Sequence, residues 1–317
     1  MNFLLSGNAL FGLLAAAAWG IGDFSGGMGV KSAGLSPEDS RGSKGISAAL
    51  RIVLASHSAS FVVLLTAIWL AAVWRHGEPF PHGMALLCGL AAGVAGGTSL
   101  TCFYMALSRG AMGASAAVSG LLAAAIPAVV GMYTDGAPGL RRGVGFLLAG
   151  VAIWAIAGGS AADANPDTGA DRVSSSHGTL GLAVAAGVGF GIYFVLLKVA
   201  GAAGVLWPMA TARMGSLTTC GLVLLWVIWR RGGEAARVPL NRKMALWALG
   251  TATFDTSGNM LFIAATRSGR LDVAAVLASL YPASTIVLAA WMLRERPSLR
   301  QGLGMLLAAG AVVLITI

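Results

Sequence analysis

The chain has 317 residues, of which 57% are hydrophobic and only 10% are charged. An average soluble domain carries about 25% charged residues, so this chain has too few charges to cover its surface in water. A disordered chain is excluded as well, because disorder needs low hydrophobicity and many charges. The net charge of +9 does not indicate a nucleic-acid partner, since such binding needs basic residues clustered on one solvated face. The composition predicts an integral, multi-pass protein of the lipid bilayer.

Ten apolar segments are long enough for transmembrane helices, which need about 20 mostly apolar residues. The predicted spans are residues 8–30, 46–74, 84–108, 112–133, 143–159, 178–197, 205–229, 244–266, 271–293 and 302–317. Five charged residues fall within them, namely Asp23, Arg51, Arg213, Asp255 and Asp272. All other charges lie in the connections, and this segregation supports the assignment.

A polar stretch divides the spans into two halves. Residues 161–177 are rich in Ser, Asp, Asn and Gly and are predicted to link a first repeat, 1–160, to a second, 178–317. The halves resemble each other: CFYMALSRG (102–110) corresponds to LFIAATRSG (261–269), and Arg51 corresponds to Arg213. Five spans per half would orient the repeats oppositely, as in many secondary transporters. The predicted fold is an all-α membrane protein of ten transmembrane helices built as two inverted five-helix repeats.

Several of these segments resemble the drug/metabolite transporter superfamily, specifically its EamA-type members. The matching residues are Trp19-Gly20, Phe190-Gly191 with Lys198, Arg51 and Arg213, FYMALSRG after the third span, and SLYP followed by WMLRERPS near the ninth and tenth spans. The resemblance covers nearly the whole chain. It implies the ten-helix fold and transport of a small molecule, and places the protein in a bacterial inner or cell membrane. In the first half, Asp135 stands where a glutamate is typical, and no lysine follows Gly20 by seven residues.

Two indications of the orientation in the membrane disagree. The connections after the first, third, fifth, seventh and ninth spans hold 13 Lys and Arg residues, and the other four hold 6. Because cytoplasmic connections carry the basic excess, this count places both termini outside the cytoplasm. The resemblance implies cytoplasmic termini instead, so the orientation is left open.

Two intramembrane acids are the main candidates for function, because a charge at the bilayer centre costs about 2.5–3.5 kcal/mol on insertion scales. Asp23 lies in the middle of the first span, with Trp19 four residues earlier on the same helix face. Asp255 is comparably deep, and Asn259 follows it by one turn. These groups are predicted to bind an ammonium group or a proton; the alternative is pairing with a neighbouring helix. Asp272, at a span end, is expected to be solvated or to lie near the N-terminal dipole of its helix.

Further residues are assigned to the site by their type. Predicted substrate contacts are made by three tyrosines and, by resemblance, one lysine: Tyr104, Tyr193, Tyr281 and Lys198. His57 is a candidate for proton coupling, although a lone histidine in an apolar helix is more often a packing residue.

Structural roles are predicted for two basic residues and two prolines. Arg51 and Arg213 recur in the two halves within reach of a membrane interface, which suggests a shared structural role. Pro127 and Pro282 are expected to kink the fourth and ninth spans. Pairs of glycines four residues apart, such as Gly93 and Gly97, indicate tight helix packing.

The predicted function is secondary transport of a small metabolite, such as an amino acid or amine, by alternating access in the direction of export. Proton coupling is an option, because a carboxylate in a low-dielectric site binds its proton more tightly and the proton then competes with a cation. The alternatives are an uncoupled facilitator or channel and, more distantly, a membrane-embedded enzyme. No H-E-x-x-H, G-x-S-x-G or Cys/His ligand spacing occurs, so no catalytic residue, metal or cofactor is expected. The expected assembly is a monomer or homodimer.

Overall fold

The computed structural model describes residues 7–74, 77–109, 112–162, 171–231, 233, 237–292 and 298–316. Within these ranges the chain forms twelve α-helices and no β-strand. The helices are α1 (Gly7–Lys31), α2 (Pro37–Arg41), α3 (Ser43–Val73), α4 (Gly83–Arg109), α5 (Met112–Asp135), α6 (Leu140–Ala162), α7 (Asp171–Gly201), α8 (Leu206–Arg231), α9 (Arg242–Ser268), α10 (Leu271–Ala278), α11 (Tyr281–Met292) and α12 (Leu299–Thr316).

Seven helical segments in the described ranges are long and apolar enough to cross a membrane. They are α1, α3, α4, α5, α7, α8 and the pair α10–α11. The apolar helix α12 is shorter, and α9, which is more polar and carries Asp255, is not among the seven. The protein is therefore an all-helical membrane protein.

The ninth predicted span is interrupted rather than kinked. Helix α10 ends at Ala278, and α11 begins at Tyr281 after a turn at Ser279 and Leu280. Pro282 is the second residue of α11, a position whose backbone N–H has no partner within the helix and is therefore not missed. Pro127, by contrast, lies inside the continuous helix α5.

The long helices pack closely around a shared centre. Helix α1 packs against α9, α4 packs against α7 and α8, and α3 lies beside α8, while α6 and α12 pack against each other. Glycine makes two of these contacts possible. A side chain at Gly93 on α4 would collide with the carbonyl oxygen of Ala212 on α8, and one at Gly258 on α9 would meet the ring of Trp19 on α1. The Gly93/Gly97 pair thus packs against α8 within the molecule.

The predicted linker falls partly outside the described residues. Helix α6 ends at Ala162 and α7 begins at Asp171, so positions 163–170 of the predicted linker 161–177 are not described. Most of the WMLRERPS motif, at 293–297, also lies outside the described ranges.

Candidate functional site

A cavity lies at the centre of the helix packing. Its volume is about 30 Å³, which is room for one or two water molecules. Six of the predicted substrate residues line it: Trp19, Asp23, Tyr193, Asp255, Asn259 and Tyr281. His57 and Arg213 line it too. The structure therefore brings most of the predicted site together in one place.

Asp255 is neutralised by an arginine. The NH2 group of Arg213 donates a hydrogen bond of 2.6 Å to Oδ2 of Asp255, and it also donates to Thr256 Oγ1 at 3.1 Å. Asn259 Nδ2 donates to the same Asp255 oxygen at 3.1 Å. Arg213 is only 3% exposed, so it lies in the protein centre rather than extending to a membrane interface. The ion pair matches the structural alternative that the sequence left open for Asp255.

The same arginine determines which nitrogen of His57 carries the hydrogen. Arg213 NH1 lies 2.9 Å from His57 Nε2, and arginine has no acceptor, so Nε2 must accept this hydrogen bond. The ring hydrogen is then on Nδ1, which donates to Ser216 Oγ at 2.6 Å. His57 can therefore bind a proton at Nε2 only after Arg213 moves away.

Trp19 extends this network to α1 and forms an aromatic wall. Its Nε1 donates to Asn259 Oδ1 at 3.1 Å, while its ring stacks on Phe194 with centroids 4.9 Å apart and planes 6° apart. Phe194 in turn contacts Phe262 at 4.7 Å between centroids. Because Asn259 accepts from Trp19 and donates to Asp255, both ends of its amide are held.

Asp23 differs from Asp255 because it has no compensating partner. Its side chain is buried, with 8% of the residue exposed, and lines the cavity. It accepts no hydrogen bond from any residue in the described ranges. With Asp255 paired to Arg213 and His57 neutral, ionisation of Asp23 would give the cavity one net negative charge.

The three predicted tyrosines have different environments. Tyr193 lines the cavity, and its buried hydroxyl has no hydrogen-bond partner among the described residues. Tyr281 lines the cavity, and its hydroxyl lies 2.5 Å from Ser119 Oγ on α5. Tyr104 is fully buried, does not line the cavity, and packs where a side chain at Gly26 would otherwise lie. Only Tyr193 and Tyr281 are therefore placed to touch a molecule in the cavity.

Lys198 lies away from the cavity, at the end of α7. Its Nζ is 3.3 Å from both carboxylate oxygens of Asp135 at the end of α5. Asp135 also accepts a hydrogen bond of 3.1 Å from the backbone N–H of Leu271. This cluster ties the ends of α5 and α7 to the start of α10.

Asp272 is completely buried at the start of α10, so the expectation that it is solvated is wrong. Its carboxylate accepts hydrogen bonds from Arg270, the shortest being 2.6 Å from NH2, and one of 2.8 Å from the backbone N–H of Val273. The hydrogen bond to Asp272 raises the pKa of Arg270 above its usual value. The alternative expectation is that Asp272 lies near the N-terminus of its helix. This agrees with the structure, in which Asp272 is in the first turn of α10.

The two repeated arginines do not make the same contacts. Arg51 is half-buried on α3, and its buried Nε has no hydrogen-bond partner in the described part of the chain. Arg213, in contrast, is bonded to three side chains. Their recurrence in the sequence therefore does not correspond to one shared set of interactions.

Glu78 is an important contact that the sequence did not predict. It lies in the connection between α3 and α4, and its carboxylate accepts hydrogen bonds from the backbone N–H groups of Val205 (2.8 Å) and Leu206 (2.9 Å) at the start of α8. Trp207 Nε1 donates to the Glu78 carbonyl oxygen at 3.1 Å, and the Trp207 ring contacts Phe80. Glu78 thereby joins the two halves at one end of the bundle.

Three other residues of the site were also missed. Ser216, Thr256 and Phe194 hold His57, Arg213 and Trp19, respectively. Helical spacing could have indicated Ser216, which follows Arg213 by three residues and so shares its face. No comparable sequence signal marks Glu78, because its partners are backbone groups far along the chain.

Comparison with known proteins finds a family match in the second half of the chain. Residues 178–317 match the EamA-like transporter family. One solved crystal structure, 16% identical in sequence, covers 98% of this chain and 96% of its own chain with a TM-score of 0.67, a likeness that concerns the fold alone. No curated protein matches the chain in sequence. The resemblance to EamA-type sequences is therefore confirmed over these residues: the second half of the chain matches a family of membrane transporters of the drug/metabolite type.

Proposed function

We propose that this protein is a secondary transporter that exchanges protons for a small metabolite with a positively charged amino group, either an amine or an amino acid. Export follows where the proton gradient is directed into the cell. The observation that carries the proposal is Asp23, a buried carboxylate that lines the cavity without a partner among the described residues.

The charge of the cavity supports a cationic group as the occupant. Arg213 compensates Asp255, so the charge of the cavity depends on whether Asp23 is ionised. A proton or an ammonium group would each neutralise an ionised Asp23, and in a low-dielectric site the two compete. The rings of Trp19 and Tyr193 border the same cavity and favour a cation or an apolar substituent beside it.

The helix packing supports two inverted repeats at 1–160 and 178–317. Helix α1 packs against α9, and their counterparts α7 and α4 also pack together. A second pair of contacts is repeated in the same way. Helix α5 of the first half packs against α7 of the second, and its counterpart, the pair α10–α11, packs against α1. The repeated arginines Arg109 and Arg267 each donate to a backbone carbonyl group of their neighbouring segment, that of Ser40 in the short helix α2 and that of Gly201 at the end of α7. Repeats related in this way are the usual build of transporters that work by alternating access, which supports the proposal.

The small volume of the cavity favours alternating access over a channel. A channel needs a continuous path, whereas this cavity holds only one or two water molecules. At one end of the bundle, Glu78 binds the start of α8 and joins the two halves. A substrate can enter only after helices move apart.

The charge class of the substrate is tested by three compounds with one aromatic body. Phenethylamine carries a positive charge, phenylalanine is a zwitterion and phenylpropionate is negative. A ligand at 100 times its Kd stabilises a protein by about 2.7 kcal/mol, so binding raises the melting temperature by several degrees. We expect phenethylamine or phenylalanine to raise the melting temperature of the purified protein and phenylpropionate to leave it unchanged. Stabilisation by phenylpropionate alone would contradict the proposal.

The role of Asp23 is tested by proton movement. Proteoliposomes containing a pH-sensitive dye are given an outward gradient of the stabilising compound, and the wild-type protein should change the pH of the lumen. Asp23→Asn should abolish this change because asparagine cannot exchange a proton, while Glu38→Gln, on the exposed helix α2, should retain it. Unchanged proton movement in a correctly folded Asp23→Asn variant would remove Asp23 from the coupling.

A further inference from the structure

A second cavity, of about 230 Å³, lies at the end of the bundle where α1 and α4 finish. Three basic residues line it, Lys31, Arg41 and Arg109, together with the polar residues Ser40 and Ser108. No acidic residue of the described ranges is among its lining residues. It is separate from the central cavity and shares no residue with it.

Arg109 holds Arg41 in this pocket. Its Nε donates to the carbonyl oxygen of Ser40 at 3.0 Å, and its NH2 donates to the carbonyl oxygen of Arg41 at 3.2 Å. These are the last carbonyl groups of the short helix α2, so the contact fixes the position of Arg41 next to Arg109. Two guanidinium charges are thereby brought close enough to repel each other.

Asp39, two residues before Arg41 in the chain, does not compensate these two charges. Asp39 on α2 forms a 3.0 Å ion pair with Lys44 at the start of α3. The hydrogen bond from Lys44 holds the pKa of Asp39 below its usual value, so that carboxylate is ionised and already paired. Arg41 makes no hydrogen bond through its side chain to any residue in the described ranges. Arg41 and Arg109 therefore have no carboxylate within ion-pairing distance in the described part of the chain.

The position of the pocket relative to the membrane indicates what the counterion is. It lies among the connections that hold 13 of the Lys and Arg residues, the side that the positive-inside rule assigns to the cytoplasm. Basic pockets between helix ends on this side bind the phosphate groups of anionic lipids. We propose that this pocket binds a phosphate-bearing anion, either the headgroup of an anionic phospholipid or a soluble phosphate, between Arg41 and Arg109.

The experiment measures the melting temperature of the full-length protein with three probes: short-chain phosphatidylglycerol, short-chain phosphatidylcholine and inorganic phosphate. Phosphatidylglycerol should stabilise the protein more than phosphatidylcholine. Stabilisation by inorganic phosphate as well would identify a soluble anion as sufficient, whereas an effect of phosphatidylglycerol alone would identify the lipid. Absence of any effect of both anions overturns the proposal.

Substitutions assign the effect to the pocket. The variant Arg41→Gln/Arg109→Gln should bind the stabilising anion about 30-fold more weakly, because each basic residue near such a site contributes about 1 kcal/mol. The control Arg242→Gln/Lys243→Gln removes two basic residues from the start of α9 and should bind like the wild type. Equal loss in both variants would show a non-specific charge effect and overturn the proposal. If loss of the Arg109 contacts prevents folding, Arg41→Gln alone keeps them and should still weaken binding about fivefold.

Discussion

Arg213 connects three helices through one guanidinium group. Its NH1 bonds to His57 on α3 and its NH2 to Asp255 on α9, while Arg213 itself lies on α8. A buried pair of this kind is costly to break on one side only, because the remaining charge is left without compensation. Arg213 therefore affects both the stability of the bundle and the protonation of the site.

Breaking this pair on one side should destabilise the protein strongly. We expect Arg213→Met to lower the free energy of unfolding by about 3–5 kcal/mol, because Asp255 then stays buried and unpaired. The double variant Arg213→Met/Asp255→Leu should recover most of the loss, since it removes both partners of the pair and leaves neither charge uncompensated. Denaturant unfolding in detergent micelles, analysed as a double-mutant cycle, measures the coupling. Additive effects of the two substitutions would show that the ion pair carries no coupling energy.

Asp23 and Asp255 show the limit of sequence reasoning at this scale. Both are single acids in the middle of an apolar span, so the sequence predicts the same two roles for each. The structure distinguishes them, because Arg213 reaches Asp255 and no described residue bonds to Asp23. That difference depends on which helices are neighbours, which a single sequence does not contain.

At the scale of helices, close approach depends on a few glycines. Helices α4 and α8 approach so closely that a side chain at Gly93 would collide with a backbone oxygen of Ala212. Gly221, on α8 itself, has no atom within 4 Å of the corresponding position. The two glycines therefore differ in what an added methyl group would meet.

This difference leads to opposite effects of the same substitution. We expect Gly93→Ala to destabilise the protein by about 1–3 kcal/mol, because the backbones of α4 and α8 must separate. Gly221→Ala should be neutral or stabilise by up to about 1 kcal/mol, since alanine favours a helix more than glycine does. The melting temperatures of both variants in the same detergent provide the measurement. A Gly93→Ala variant as stable as Gly221→Ala would show that the α4–α8 contact is not tight.

Helix positions were largely predictable, and their interruptions were not. Long apolar runs indicate helices because a buried or lipid-exposed backbone must bond to itself. The turn at Ser279 and Leu280 has no comparable pattern, since Pro282 predicts a kink without showing whether the helix continues. The break coincides with a contact to a neighbouring helix. The carbonyl group of Ser279, in the turn, lies against Gly120 on α5.

At the scale of the whole molecule, the two ends of the bundle differ. At one end, Glu78 joins the α3–α4 connection to the start of α8, and Lys198 pairs with Asp135. At the other end, Arg41 and Arg109 line the basic pocket. The two ends of the bundle are therefore held by different contacts.

Loss of the Glu78 carboxylate should favour opening at its end. The amide of Glu78→Gln can accept through only one oxygen, so one of the two short bonds to α8 is lost, at a cost of about 1 kcal/mol. In a Cys102→Ala/Cys220→Ala background, we expect maleimide to label buried Cys88, near the start of α4, about fivefold faster. Glu38→Gln should leave the labelling rate unchanged. A Glu78→Gln variant with unchanged labelling would show that this contact does not hold the end closed.

The small volume of the central cavity also has a consequence for the membrane itself. Proton conduction needs an unbroken file of hydrogen-bonded water, and about 30 Å³ holds at most a short piece of one. In the conformation described, the empty protein therefore insulates the two faces of the bilayer from each other electrically. If the protein exchanges protons as proposed, a cell containing many copies would keep its membrane potential when substrate is scarce, and the proton gradient would be consumed only during turnover.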